Sequence, residues 1–476
     1  MALTTGIEHL SPSATKGTLF AGNYITDFDF TKQFLPDVYE KEAEIYGNRS
    51  ISSFLRLVSA EMPSASDEIR WVEQGRLHIR YENVAVVAAT GVFTVTFDAN
   101  PDGSAYGAGE EAAIRVGQTI MVQGVDGSKN PVGSVLKGVV TVAGAAAAGD
   151  TSTFTAHCYT AADWSGLTTT NGVTVLVYGS EFAKGTEGMS GSIDAGYSSY
   201  TNKPIILKDN YAVNGSDTAQ IGWIEVASEN GASGYLWYLK SEHETRQRFE
   251  DYLEMSMVES VKKGAAVHAG FPGKVTGTEG LFAALEDRGN VFTDLSSDTD
   301  LSDFDTILKQ LDKNGAIEEN MLYTDRDLSL SIDDGLAAKN SYGSGGTSYG
   351  VFNNSEDMAL NLGFAGFRRG SYDFYKTDWK YLNDFGTRGG FGDIEGVLIP
   401  AGTSTVYDQD LGQNIKRPFL HVRYRASETD DRKMKTWITG SVGGAYTSTA
   451  DEMRVSFLSE RCLVTQGANN FFLFKD

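Results

Sequence analysis

Positions 86–200 constrain the fold of this 476-residue chain more than any other stretch. They carry only 10 acidic and 4 basic residues, together with 18 glycines, whereas ordinary globular sequences are about 25% charged. Short β-branched runs alternate with turns of Gly, Asn and Asp, a pattern typical of paired strands. The block therefore predicts an all-β module, a small barrel or sandwich, inserted at 86–195. Its runs are Val92–Phe97, Gln118–Gln123, Gly138–Val142, Thr153–His157 and Gly172–Tyr178.

A long helix is predicted from Leu236 to Lys263, with Gly264 as its stop. Its apolar residues fall mostly on one stripe, and two acid–base pairs four residues apart, Glu242/Arg246 and Glu244/Arg248, support it. A second helix is predicted from Asp303 to Asn314, where apolar residues recur at helical spacing.

Extended segments are predicted on both sides of the inserted module. Ile69–Glu73 and Leu77–Tyr81 alternate as a strand pair that turns near Gln74 and Gly75. Pro204–Leu207 and Ile221–Val226 predict an extended hairpin with a polar tip. The tail predicts a sheet that closes against the long helix, from strands at Leu420–Arg425, Lys435–Gly440, Arg454–Leu458, Cys462–Thr465 and Asn470–Lys475.

The charge balance excludes a surface that wraps nucleic acid. Lys and Arg number 40 against 63 Asp and Glu, a formal net charge of −23, and phosphate neutralisation needs a large basic patch. The two cysteines, Cys158 and Cys462, form no disulfide framework. The N-terminus shows no signal-peptide pattern and no run of 18 apolar residues occurs. We expect a soluble chain folded in a reducing cytoplasm.

No motif in the sequence predicts a catalytic, cofactor-binding or metal site. The histidines are dispersed and form neither HxH nor HExxH; they are His9, His78, His157, His243, His268 and His421. No GxSxG elbow occurs, and Gly343–Gly346 lacks the Lys-Ser/Thr pair of a phosphate-binding loop. We interpret that cluster and Gly386–Gly392 as loops, and predict that the chain is not an enzyme.

One acidic run offers a possible calcium site. Its members are Asp294, Asp298, Asp300, Asp303 and Asp305. The EF-hand spacing, its central Gly and its final Glu are absent. A solvated loop whose carboxylates favour the N-terminus of the following helix explains the run equally well, and we prefer that interpretation.

The order of these elements resembles that of the major capsid proteins of tailed bacteriophages with the Hong Kong 97-type fold. A polar arm, a helix, an extended loop, one long charged helix, a glycine-rich α/β region and a β-rich return follow one another. The length, the insertion's position and the phrase Glu68–Glu73 look most like the capsid proteins of crAss-like phages.

The resemblance implies an α+β Hong Kong 97-like fold with an inserted all-β domain. Its parts would be an N-terminal arm at 1–36, peripheral-domain helix and strands at 37–85, the inserted domain at 86–195, the extended loop at 196–230, the spine helix of the peripheral domain at 231–264, the axial domain with adjoining peripheral elements at 265–415, and C-terminal peripheral strands at 416–476. The type member of the family crosslinks Lys to Asn. Lys203 and Lys208 lie near the predicted loop, but we do not predict that reaction.

The resemblance also implies function, partners and location. Hexamers and pentamers of the chain would form an icosahedral head shell around double-stranded DNA, held as cargo without sequence-specific contacts. Portal and head-decoration proteins would bind the shell, which would be assembled in the host bacterial cytoplasm, without a membrane or a cofactor. Two alternatives remain open: a phage tail or surface-adhesion protein, suggested by the β-rich insertion, and an acidic extracellular hydrolase, suggested by the abundant carboxylates.

Overall fold

The computed structural model describes residues 54–55, 60–97, 111–128, 130–147, 150–193, 196–219, 226–227, 233–234, 237–264, 268, 270–293, 301–315, 317–339, 366–401, 403–408, 413–442 and 447–475. The predicted arm at 1–36 lies outside these residues, and so does the predicted helix near 37–58 apart from 54–55, which are helical. The chain divides into two units, Met1–Gly47 with Ala219–Lys240, and Asn48–Thr218 with Ser241–Asp476. The sheets and barrel described below belong to the second unit.

The described elements are mixed α and β. The strands are β1 (Ala60–Ser64), β2 (Ile69–Gln74), β3 (Arg80–Val87), β4 (Val92–Thr96), β5 (Gln118–Val125), β6 (Pro131–Ala146), β7 (Thr151–Cys158), β8 (Val173–Ser180), β9 (Tyr197–Asn202), β10 (Ile205–Asn214), β11 (Val226–Ala227), β12 (Ser233–Gly234), β13 (Asn290–Phe292), β14 (Glu319–Thr324), β15 (Gly366–Arg369), β16 (Tyr372–Asp378), β17 (Ile394–Pro400), β18 (Thr403–Asp408), β19 (Gln413–Pro418), β20 (Leu420–Arg425), β21 (Lys435–Gly440), β22 (Glu452–Thr465) and β23 (Phe472–Lys475). The helices are α1 (Gly215–Thr218), α2 (Trp237–Glu259), α3 (Leu281–Arg288), α4 (Leu301–Asn314), α5 (Arg326–Lys339) and α6 (Lys380–Asn383).

A five-stranded sheet is organised around β22. Along one edge β22 pairs antiparallel with β10, from Ile205 opposite Arg461 to Asn214 opposite Glu452. Along its other edge β22 pairs with β20 and then with β21, and β1 adds to β20 in parallel. Residues more than 350 positions apart in the sequence thus meet in one sheet.

Helix α2 packs on this sheet. The Phe249 and Phe457 rings are stacked with centroids 5.9 Å apart, and Met257 and Val258 are buried in one core with Leu463. The Arg248 Nη2 donates to Asp209 Oδ2 on β10 over 3.2 Å. Helix and sheet therefore share an apolar layer, with an ion pair at its rim.

Helix α2 ends at Glu259, earlier than the predicted stop at Gly264. Beyond Glu259 the backbone finds partners outside the helix: the Gly280 N donates to the Ser260 carbonyl oxygen over 2.7 Å, and the Lys263 N to Thr276 over 2.9 Å. A Cβ at Gly280 would lie 2.7 Å from the Val258 carbonyl oxygen. Glycine there lets a second strand of chain approach the helix end, so the helix stops where that strand begins.

A second, six-stranded sheet has the order β13-β23-β17-β14-β16-β15. Helices α4 and α5 contribute Phe304, Ile307 and Leu328 to a core with Phe374 and Phe474. This sheet includes the C-terminal strand β23, which pairs with β17 and β13. The prediction that all the tail strands share the sheet under the long helix is therefore wrong for 472–475.

The low-charge block forms a closed six-stranded barrel, in the order β3-β4-β7-β6-β5-β8. Phe93 and Phe154 stack in its core at 4.9 Å, and Trp164 meets Phe93 edge-on at 5.2 Å. The Trp164 Nε1 donates to the Ala156 carbonyl oxygen over 2.8 Å, which satisfies the one polar atom that this ring buries. A Cβ at Gly138 would lie 2.7 Å from the Trp164 ring, so that strand position needs glycine.

Two of the predicted strand pairings differ from the observed ones. Residues 69–74 pair with β9 rather than with 77–81, and Arg80–Val87 enters the barrel as its first strand. The predicted hairpin arm at 204–207 begins β10, which pairs with β22. Its other arm, 221–226, lies outside the described residues except for Val226. Local alternation identified the strands but carried no information about partners distant in sequence.

The Leu328→Ala substitution should destabilise the chain strongly. Leu328 is 1% exposed, and truncation of a buried leucine leaves a cavity that costs about 2–5 kcal/mol. Leu330→Ala is the matched control, since Leu330 lies on the same helix and is 51% exposed; we expect it to change the free energy of unfolding by less than about 0.5 kcal/mol. Urea unfolding followed by far-ultraviolet circular dichroism measures both, and equal midpoints for the two variants would contradict the packing of α5.

Candidate functional site

The barrel joins the rest of the chain through the two-stranded ladder of β2 and β9. Ile69 lies opposite Asn202 and Gln74 opposite Tyr197. At the end nearest the barrel, the Gly75 N donates to the Gly196 carbonyl oxygen over 2.7 Å. The chain leaves for the barrel and returns from it at one point.

A group of polar and aromatic side chains holds this ladder to the body, and we call it the junction cluster: Trp71, Tyr200, Asn202, Glu279 and Arg288. It draws one residue from β2, two from β9, one from the loop before α3 and one from the end of α3. Asn202, Trp71 and Glu279 are all less than 9% exposed. Buried polar groups of this kind are stable only when they are hydrogen-bonded.

The Asn202 side chain satisfies that condition. Its Nδ2 donates to the carbonyl oxygens of Glu279 (3.0 Å) and Leu463 (2.7 Å). Its Oδ1 accepts from the Thr278 hydroxyl (3.0 Å) and from the backbone N–H groups of Glu279 and Lys203 (2.9 Å each). One buried amide therefore ties together β9, the loop before α3, and β22.

Arg288 adds a charged and aromatic contact. Its guanidinium makes two hydrogen bonds to the Glu279 carboxylate, at 2.9 and 3.1 Å. It also lies 4.5 Å from the centroid of the Tyr200 ring and 5.9 Å from that of Trp71. A planar guanidinium can pair and stack at once, which an ammonium group cannot. The stack fixes the outward course of the ladder relative to α3.

Glu73 closes the far side of the junction. Its Oε1 accepts from the Trp71 indole N–H over 3.0 Å and from the Gly467 N–H over 2.9 Å. Gly467 has a φ of 60°, in the left-handed region that favours glycine. The ladder is thus tied to the turn between β22 and β23 as well.

A small cavity of about 280 Å³ beside Asn202 is lined by three lysines, Lys203, Lys262 and Lys263. The Lys262 Nζ lies 3.3 Å from Glu279 Oε1, and the Lys203 Nζ 3.8 Å from Glu68 Oε2. Lys263 lies over the Phe271 ring at 4.9 Å. Each cation has a partner within the chain, so the cavity is electrostatically balanced.

The residues that the sequence singled out stay apart. His78 and His157 lie exposed on the barrel, His243 half-buried on α2, and His421 buried on β20. His268 Nδ1 accepts from the Gly270 N–H over 3.1 Å, and His9 lies outside the described residues. Among the described residues, no group of three His, Cys, Asp or Glu side chains is placed to hold a metal.

Both cysteines are free thiols. Cys158 is half-buried in β7, with its Sγ 3.7 Å from the Thr160 hydroxyl. Burial raises the pKa of the fully buried Cys462 thiol to about 12, so it remains protonated at neutral pH.

The acidic run and the glycine clusters are described only in part. Asp305 pairs with Arg369, whose Nε donates to Asp305 Oδ1 over 2.6 Å. Asp303 lies in α4, whereas Asp294, Asp298 and Asp300 are outside the described residues, as is Gly343–Gly346. Gly386–Gly392 forms a loop that contains a short 3₁₀ turn. Lys208 is exposed on β10.

The sequence reasoning missed the junction cluster entirely. Its five members come from three separate stretches of chain, near 71, 200 and 280, so no spacing marks them as a group. The only local sign was Trp71, an aromatic residue inside a strand pattern. Among the helices described, none is long and apolar enough to cross a membrane.

The Asn202→Leu substitution should be among the most destabilising single changes in the chain. It leaves buried carbonyl and N–H groups without partners, each at a cost of about 1–3 kcal/mol. Asn210→Leu is the matched control, because Asn210 lies exposed on the adjoining strand and its substitution removes no buried partner. Hydrogen exchange at β2 and β9 should rise for Asn202→Leu alone; unchanged exchange would refute the role assigned to this amide.

Solved structures with a similar arrangement of the chain come from phages and a related particle. A chain of Microbacterium phage Oxtober96 matches with a TM-score of 0.39 and 7% identity, over 92% of this chain and 95% of that one. A chain from the capsid of the native GTA particle, computed with C5 symmetry, has a TM-score of 0.38 and 9% identity over 94% and 97%. A chain from the asymmetric unit of the bacteriophage PhiM1 mature capsid has a TM-score of 0.32 and 8% identity over 63% and 78%. No protein-family model and no curated protein matches the sequence.

Proposed function

We propose that this chain is a major capsid protein with a Hong Kong 97-like fold, whose copies form the head shell of a tailed phage. The observation that carries the proposal is the position of α2 on a sheet built from distant parts of the chain. That sheet takes β1 from residues 60–64, β10 from 205–214, and β20 to β22 from 420–465. The resemblance implies this arrangement for the spine helix and the peripheral domain.

The other parts of the structure receive roles in the same proposal. The six-stranded sheet with α4 and α5 belongs to the axial domain, which then includes the C-terminal strand β23. The barrel is the inserted domain, with the β2–β9 ladder as its stalk. Residues 1–36 are the arm and 196–230 the extended loop, which gain stability by lying on neighbouring copies.

Exposed apolar side chains support a subunit with several neighbours. Leu77 on the approach to the barrel is 80% exposed, Phe391 on the loop before β17 is 80% exposed, and Ile438 on β21 is 45% exposed. These lie on three different elements, and exposed apolar surface marks contact sites. Separate patches allow contacts in which one face of a copy meets a different face of the next, as rings and shells require.

The partners follow from this role. The main ones are other copies of the chain, as hexamers and pentamers, together with portal and head-decoration proteins. DNA is enclosed without specific contacts, because a net charge of −23 disfavours adhesion of a polyanion. The location is the virion, after assembly in the host bacterial cytoplasm, and the role needs no catalytic activity.

Assembly of the purified chain should strengthen with salt. Identical subunits of charge −23 repel one another on average, and the screening length falls from about 30 Å at 0.01 M to about 8 Å at 0.15 M ionic strength. Sedimentation velocity across a sodium chloride series should show a growing fast-sedimenting fraction. A monomer at every salt concentration would contradict the proposed function, and assemblies that dissolve as salt rises would contradict the electrostatic part.

Limited trypsin digestion should release the barrel as a resistant fragment, residues 77–184. Arg76 lies in an exposed stretch before β3, and Lys184 in the exposed segment that follows β8, so both peptide bonds are accessible while the strands between them are paired. The matched controls are Arg76→Gln and Lys184→Gln, each of which should abolish one cut. Even degradation through the barrel would refute an independent inserted domain.

A further inference from the structure

The loop Asp384–Asp393, which we call the phenylalanine loop, presents two aromatic rings to solvent. Phe385 is 88% exposed and Phe391 is 80% exposed, the highest values among the large apolar side chains described. An isolated apolar side chain on a surface is ordinary, but two on one short loop form a patch that favours contact with another surface.

The phenylalanine loop is firmly held, although its rings are exposed. The Arg388 guanidinium donates to Glu259 Oε2 over 2.5 Å and to both oxygens of Asp393 over 2.7 and 2.8 Å. The Thr387 hydroxyl donates to the Tyr381 carbonyl oxygen over 2.7 Å. These bonds attach the loop to the end of α2 and to α6, so the two rings are displayed by a preordered support, which lowers the entropic cost of docking.

The outward charge of this loop is negative. Asp384 and Asp393 flank the two rings, and the Asp393 side chain is 55% exposed. The only cation of the loop, Arg388, is 18% exposed and engaged with Glu259 and Asp393. A partner surface for the loop should therefore be apolar with a basic rim.

The barrel carries a groove of that character, which we call the basic groove. It encloses about 800 Å³, and its apolar lining includes Leu77, Val135 and Tyr178. Arg76, His78 and Arg80 lie along it, and no acidic side chain of the described residues lines it. Arg80 pairs with Glu82 beside the groove over 2.7 Å, and an Arg76 nitrogen donates to the Lys313 carbonyl oxygen.

We propose that the phenylalanine loop of one copy docks in the basic groove of a second copy of this chain. Both surfaces are described within one chain, yet no loop residue lines the groove, so each is left for a neighbour. The match is apolar against apolar and acidic against basic. Such a contact joins two different faces, and repetition of it extends an assembly rather than closing a dimer. The inference rests on the proposed function, since it specifies one of the contacts between capsid subunits.

The first test compares the Phe385→Ser/Phe391→Ser double variant with Leu330→Ser, which removes an equally exposed apolar side chain (51%) from a helix outside both surfaces. We expect the double variant to lower the association constant at least about tenfold in sedimentation velocity, and the control to match the wild type. If wild type and double variant assemble equally, the inference is overturned while the proposed function stands. Circular dichroism melting curves verify that both variants fold, which exposed positions permit.

The second test identifies the receiving surface by crosslinking, in a Cys158→Ser background. Chains carrying Phe391→Cys are mixed with chains carrying Val135→Cys, oxidised, and run on non-reducing gels. A disulfide requires Cα atoms within about 7 Å, so a crosslinked dimer should form with this pair and not with Leu330→Cys mixed with Val135→Cys. Equal yields for the two pairs, or no crosslink in assemblies that the wild type forms, would overturn the docking. If the wild type forms no assembly but the specific crosslink appears, the contact stands and the proposed function fails.

Discussion

The side-chain amide of Asn202 is the contact on which the relation between barrel and body depends. It accepts and donates five hydrogen bonds to three stretches of chain, including the Leu463 carbonyl oxygen on the central strand β22. In a low-dielectric interior each of these bonds is strong, and each orphaned partner is costly. Around this amide, the Arg288–Glu279 pair and the Tyr200 ring set the direction in which the β2–β9 ladder leaves the body.

Three apolar cores make this junction necessary. One lies inside the barrel around Phe93 and Phe154, one between α2, α3 and the two sheets around Leu463, and one under α4 and α5 around Phe374. The barrel core shares no residue with the other two, so hydrophobic packing alone would leave the barrel free to swing on its two strands. A polar, directional cluster supplies the orientation that packing does not, which suits a subunit whose every copy must present the same faces to its neighbours.

The sequence predicted local elements well and long-range partners poorly. β20 and β21 were predicted at their observed bounds, because alternation and β-branched residues act within a few positions. The all-β character of the low-charge block was equally visible. The pairing of β2 with β9 was missed, because Trp71 and Tyr200 are separated by the whole barrel and alternation does not encode a partner. The early end of α2 was missed for the same reason, since the loop that displaces it approaches from residues 276–280.

The candidate surfaces show the same division. Gly386–Gly392 was correctly interpreted as a loop, but nothing in its composition indicated that Phe385 and Phe391 would point to solvent while Arg388 points inward. The basic groove could not be predicted at all, because Arg76, Val135 and Tyr178 come together only when the barrel closes. The net charge of −23, which first excluded nucleic-acid binding, therefore conceals a local basic site that the fold creates.

The most direct measurement of the central claim is an electron cryomicroscopy reconstruction of the particles that the full-length chain forms. The account predicts closed shells with five-fold and six-fold clusters of copies, in which α2 and the five-stranded sheet of each copy repeat without gaps. Open fibres, or discrete particles of a few copies that never close, would contradict the assignment of this chain as a shell subunit.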